Sequence, residues 1–241
     1  MIRGPALGAS PCVLPFFKRA PAGETIAVTP LGTNFGSFPT TLSVGPVSLG
    51  ASDYLLVGTS FQDTSGGNTN VYSVNIGGFN VPLDLSTNYG PLIHVGHVWS
   101  VAMNGTARAG TVTIDFSLAI AVPDSCTIVV SKATGILQVG APDRTASATG
   151  SGTTQDSGLT AALAQAHELV YGIIFTTGRA TDTVGTWTAP LVAGQNAGSG
   201  IVQEQVKEGY AIVTTGGTYR ARVTGATNRP WGALCKTYKA A

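Results

Sequence analysis

The chain has 241 residues and a formal net charge of +1, and only 10% of its residues are charged, against about 25% in an ordinary soluble domain. So weak a field does not gather phosphate backbones, and no run reaches the roughly 20 apolar residues of a membrane-spanning helix, so neither nucleic acid nor a bilayer is an expected partner. Three cysteines, Cys12, Cys126 and Cys235, are far apart and odd in number, which excludes a disulfide framework or a paired-ligand zinc site and fits a reducing compartment.

Residues 1–45 differ in pattern from the remainder of the chain. Pro5, Pro11, Pro15 and Pro21 interrupt a segment carrying Leu7, Val13, Leu14, Phe16 and Phe17. Proline removes backbone donors and favours extended chain, so neither helix nor regular strand is expected there. The segment is nevertheless too apolar for a solvated tail. It reads as an extended N-terminal arm whose five apolar side chains need a surface to cover them, on its own domain or on a neighbouring subunit. Leu7, Val13, Leu14, Phe16 and Phe17 are therefore the candidate partner-binding residues. The prolines also break the apolar stretch that a secretory signal requires. Short strands are expected at residues 26–28 and 40–44.

Residues 46–241 read as one β-sandwich domain. Residues 53–61, 71–76, 81–85 and 93–103 are strands, with Gly77-Gly78 and Asn104-Gly105 as turns. From Gly110 to Gly135 the chain reads as a central antiparallel hairpin. Val112, Ile114, Phe116, Leu118 and Ile120 alternate with Thr111, Thr113, Asp115, Ser117 and Ala119, as in a strand with one buried face. Val122-Pro-Asp-Ser125 supplies turn residues, and a second β-branched run comes after it. Residues 159–168 are rich in alanine and fit either a helix or a strand-loop. Residues 169–175 are apolar on both faces, residues 202–207 form a shorter, more polar strand, and further strands fall at 209–214, 218–223 and 231–238. About a dozen short strands with turn signals between them mark an antiparallel sandwich rather than a βαβ fold. No period of 20–50 residues is present.

Candidate chemistry is sparse. His94 and His97 are three positions apart, an odd offset, so on a strand they point to opposite faces and cannot share a metal ion. His167-Glu168 opens like a zinc-protease motif, but Tyr171 stands where the second histidine is needed. No Gly-x-Ser-x-Gly elbow is present. Asp115, Asp124, Glu168, Glu204 and Glu208 could supply a carboxylate pair; Asp115 faces outward on its strand, and Glu204 and Glu208 share a polar segment with Lys207, so all read as solvated or salt-bridged surface groups. The loop Asp63 to Asn70 is oxygen-rich but lacks the glutamate of a calcium loop. Tyr89, Trp99, Trp187 and Trp231 read as core anchors, or as a sugar-stacking platform if exposed together. Arg220, Arg222 and Arg229 read as a solvated strand face. No cofactor, no metal and no enzymatic activity are expected.

Ser131-Lys-Ala-Thr-Gly135, Pro142-Asp-Arg-Thr-Ala-Ser-Ala148, Asp156-Ser-Gly-Leu-Thr160, Gln165-Ala-His-Glu-Leu169, Trp187 and Arg229-Pro-Trp231 give residues 47–241 a resemblance to jelly-roll, concanavalin-like β-sandwich structural proteins of tailed bacteriophage virions. The resemblance implies a jelly-roll sandwich in a virion component of the decoration or fibre type, and it carries over no binding residue. Expected partners are other virion proteins, capsid or tail subunits, and further copies of the chain, with assembly in the host cytoplasm. The alternative is a carbohydrate-binding module of a tail fibre or capsid appendage, contacting a host surface glycan through loops 62–70, 86–92 and 150–158.

Overall fold

The computed structural model describes residues 25–37, 39–63, 73–90, 93–116, 125–179, 181–198 and 204–241. Among these residues the chain is all-β, without a helix, and every strand pairing is antiparallel. The first half contributes β1 (Ala27–Ser37), β2 (Thr41–Leu49), β3 (Tyr54–Asp63), β4 (Ser73–Ile76), β5 (Phe79–Val81), β6 (Leu83–Tyr89), β7 (Ile93–Ala102), β8 (Arg108–Asp115) and β9 (Ser125–Thr134). They form sheet A, in the order β1-β9-β3-β7-β6, and sheet B, in the order β2-β8-β4-β5. The second half contributes β10 (Pro142–Gly152), β11 (Gln155–Asp156), β12 (Glu168–Thr176), β13 (Thr186–Trp187), β14 (Val192–Gly198), β15 (Gln205–Val213), β16 (Arg222–Thr224) and β17 (Arg229–Lys239). These form sheet C, in the order β10-β17-β12-β15-β14, and sheet D, in the order β11-β16-β13.

The two halves repeat one strand order. In each, the first strand pairs with the last, the last with the third, and the second with the last but one. Among the described residues no strand of one half pairs with a strand of the other. The halves meet instead face to face, giving layers in the order B, A, C, D.

Period-two alternation fills the three interlayer cores. Leu42, Val112 and Ile114 of sheet B meet Leu55, Val57, Phe61 and Ile128 of sheet A. The opposite face of sheet A sends Leu56, Val98 and Val129 against Tyr171, Ile173, Phe175 and Leu234 of sheet C. The far face of sheet C then packs Val170, Ile174 and Cys235 against Trp187 and Val223 of sheet D. Each large apolar side chain so placed contributes about 1.5–3 kcal/mol relative to exposure. Sheets A and C are covered on both faces, so β9, β12 and β15 read as continuous buried runs rather than alternating ones.

Several expectations change. The stretch from Gly110 to Gly135 is not a hairpin: β8 pairs with β2 and β4 in sheet B, whereas β9 pairs with β1 and β3 in sheet A. Both strands face the same core from opposite sides, which alternation alone does not distinguish from pairing. Asn104 and Gly105 both adopt positive φ, 47° and 84°, as the expected turn requires, yet the turn carries the chain from sheet A to sheet B. Of the two readings of residues 159–168, the strand-loop holds: residues 159–167 are irregular and Glu168 opens β12. Residues 27–49 form β1 and β2, paired along their lengths with β9 and β8, so the sequence boundary near residue 45 matches no break in strand pairing. Residues 1–24, including Leu7, Val13, Leu14, Phe16 and Phe17, lie outside the described residues.

Three distant parts of the chain converge at Gly135. Its carbonyl accepts a hydrogen bond from the Ala241 amide at 2.9 Å, and a Cβ on it would lie 2.8 Å from the Thr25 carbonyl oxygen. A second close approach sets the A–C spacing: a Cβ on Gly96 would lie 2.2 Å from the Phe175 ring. Gly96→Ala is therefore expected to cost about 1–3 kcal/mol by overpacking. Combining it with Phe175→Leu, which shortens the opposing side chain, should give a double variant that loses less than the two single losses added. Urea denaturation of the four proteins checks this, and additive losses would contradict the contact.

Candidate functional site

The densest polar cluster lies inside the A–C interface. Ser60 on β3, Tyr89 on β6 and His94 on β7 point from sheet A toward Glu204, the residue before β15 of sheet C. One carboxylate oxygen of Glu204 accepts hydrogen bonds from Ser60 Oγ and Tyr89 Oη, and the other meets His94 Nδ1. Ser60 Oγ and Tyr89 Oη are themselves 2.6 Å apart, and Thr127 Oγ1 donates to the Glu204 backbone carbonyl at 3.1 Å. Glu204 and Ser60 are 0% exposed, and Tyr89 and His94 are 3% exposed. Burial, and then the Glu204 charge, push the Tyr89 hydroxyl well above the usual tyrosine range. The same two causes raise the neighbouring Cys126 thiol, so it stays protonated and unreactive.

The cluster has half the geometry of a serine–histidine–acid triad. An acid orients a histidine through Nδ1, but in a triad the serine bonds the other imidazole nitrogen. Here Ser60 donates to the carboxylate itself. The arrangement gathers donors around one buried charge, which is the chemistry of a clamp between two sheets.

Two further bridges join the halves. Lys236 Nζ on β17 lies 2.6 Å from Asp84 Oδ2 on β6, and Ser100 on β7 also donates to that carboxylate. Gln195 on β14 donates through Nε2 to the Val130 carbonyl at 2.7 Å and to Ser131 Oγ at 3.0 Å. Its own amide donates to Glu208 at 3.0 Å, and the same carboxylate accepts from Tyr171 at 2.9 Å. Burying apolar faces drives the stacking, and these directional bonds set its register.

The structure separates most of the side chains that the sequence offered as candidates. His94 faces sheet C while His97 faces sheet B, packed on Phe61 and Trp99 at 5.7 Å between ring centroids, so the two point apart. Glu204 and Glu208, expected as surface groups, are instead buried, because β15 is an inner strand covered by sheets A and D. Tyr89, Trp99, Trp187 and Trp231 are all buried and divided among the three cores, so they do not assemble into one platform. Arg220 and Arg222 pair with Asp156, at 2.7 and 3.6 Å, and Arg229 pairs with Asp182. Asp124 and residues 64–70 lie outside the described residues, and among the described residues no three His, Cys, Asp or Glu side chains are grouped to hold a metal. Nothing in the sequence marked Glu204, since a polar strand segment is equally the pattern of an exposed strand.

Glu204→Ala removes the acceptor shared by three buried groups, of which Ser60 and Tyr89 can still bond each other, and a loss of about 2–5 kcal/mol is expected in urea denaturation; a loss under about 0.5 kcal/mol would contradict the clamp. His97 gives a pH signature. Burial holds its imidazole down at about 3, from 6.5. Between those values the unfolded chain binds a proton that the folded chain refuses. Stability should therefore fall as pH drops through that window, by at most about 1.4 kcal/mol per pH unit from this group. His97→Phe should flatten the acid limb of the stability profile; an unchanged limb would contradict the assignment.

Comparison with protein-family models, curated proteins and solved structures finds no match for this chain.

Proposed function

We propose that the protein is a non-enzymatic structural component of a bacteriophage particle, a capsid decoration, cement or head-associated protein, held in place by its N-terminal segment and by charge-poor β surfaces. We read each half as a jelly roll: strands 1, 9, 3 and 7 oppose strands 2, 8, 4 and 5 in the first half, and the second half repeats the same plan. The resemblance of residues 47–241 to virion sandwich proteins is a further ground for the phage role.

The observation that carries the assembly role is the outer edge of β1. Exposed strand edges are ordinarily guarded by charges, prolines or bulges. Pro30 and the adjacent register shift guard the start of β1, but Gly32–Ser37 keep regular register with β9 and carry no charge. Phe35 in this stretch is 48% exposed, and among the described residues no strand pairs along the outer edge. An uncharged edge with an exposed aromatic is suited to strand addition by a neighbour. The N-terminal segment carries further apolar side chains, Leu7, Val13, Leu14, Phe16 and Phe17, which a neighbouring subunit would cover. Many copies, each burying a moderate apolar area, would give firm attachment without any strong single site.

Deleting residues 1–23 is expected to leave a folded protein, because β1 and its partners remain, while abolishing incorporation. The check is co-sedimentation of the full-length and 24–241 chains with particles lacking this protein, alongside the solution mass of each chain. Binding by the full-length chain alone supports the reading. Equal binding by both removes the N-terminal segment as the anchor, and no binding by either sinks the assembly role.

A further inference from the structure

Sheet D is joined to sheet C across a second buried polar group, separate from the A–C clamp. Gln205 and Lys207 sit two residues apart on β15, so both point toward sheet D, and Gln155 on β11 points back. Lys207 is 2% exposed, Gln205 1% and Gln155 0%. Lys207 Nζ donates to Gln155 Oε1 at 3.0 Å. Neither Gln155 Nε2 nor Gln205 Nε2 has a hydrogen-bond partner among the described residues.

The charges do not balance. Asp182 is the acidic residue that acts on Lys207 electrostatically, but its carboxylate is held by Arg229 through two bonds of 3.0 and 3.1 Å and also accepts the Arg179 amide. Arg229 matches that negative charge, and Lys207 is left as an extra cation. No carboxylate lies within ion-pair distance of it among the described residues. Burial lowers its ammonium to about 8, from 10.5, so at neutral pH the group is still charged. A buried, unpaired charge is costly, and so are buried donors without acceptors. The ammonium has three N–H bonds and each amide nitrogen two, so the site offers more donors than the polypeptide supplies acceptors.

One occupant resolves both deficits: a small acceptor carrying a negative charge. We propose that Lys207 Nζ and Gln155 Nε2, the nitrogen of the amide whose oxygen Lys207 bonds, together bind one small monovalent anion of the halide class between sheets C and D. The near-complete burial of both side chains selects for a compact ion over a carboxylate or phosphate bearing further groups. The anion pairs the Lys207 ammonium and ties β11 to β15.

The test uses the full-length protein and chloride itself. Thermal unfolding is measured in chloride and in gluconate at matched ionic strength. The midpoint is expected to rise saturably with chloride, since a ligand that binds only the folded state stabilises it. Lys207→Met, which keeps the stem and removes the charge, should lose that rise entirely, and Gln155→Leu should shift it to higher chloride concentration. Crystals grown in bromide should give an anomalous peak within hydrogen-bond distance of Lys207 Nζ. A midpoint indifferent to chloride, a chloride dependence that survives in Lys207→Met, or a bromide derivative with no peak at Nζ would each overturn the proposal.

Discussion

The structure depends on two sheets that are each buried on both faces. Sheets A and C lie against each other and are covered on their outer sides by sheets B and D, so their inner strands have no solvated face on which to place polar residues. Every charge carried by such a strand must be met in the interior. β15 makes this concrete, because Glu204 before it and Glu208 within it face sheet A, while Gln205 and Lys207 face sheet D. The first two are satisfied by donors from several strands, and those donors belong to both halves.

Local patterning made the strands legible and left their partners hidden. The alternation from Val112 to Phe116 correctly marks one buried face, and Asn104-Gly105 correctly marks a turn, because both depend on neighbours in sequence. Whether β8 bonds to β9 depends on the sheet to which each is assigned, and the same alternation serves either outcome. The repeated strand order was hidden for a related reason. It resides in which strands pair, over a length near half the chain, and the two halves fill equivalent layers with different residues: Leu42 of β2 faces the first core, while Gln155 of the corresponding β11 meets Lys207.

The clamp was illegible for a different reason. A segment reading Gln-Glu-Gln-Val-Lys-Glu is the ordinary composition of a solvated strand, and only double coverage turns it into an interior. The histidines were more informative, since an odd spacing on a strand separates side chains whatever the surroundings. The aromatic residues were read as core anchors from their isolation at strand ends, and they occupy three different cores.

The meeting of Thr25, Gly135 and Ala241 has a consequence for how the two halves are linked. Each half begins and ends at the same corner of the stack, so the covalent link between them is short, and its Ile136 and Ala141 side chains join the A–C core. The path around the layers does not require that the first half precede the second. A chain closed from Ala241 to Thr25 and opened between Gly135 and Ala141 would trace the same four sheets in the opposite order. The architecture is in this sense a closed pair, with the order of synthesis a property of the gene rather than of the fold.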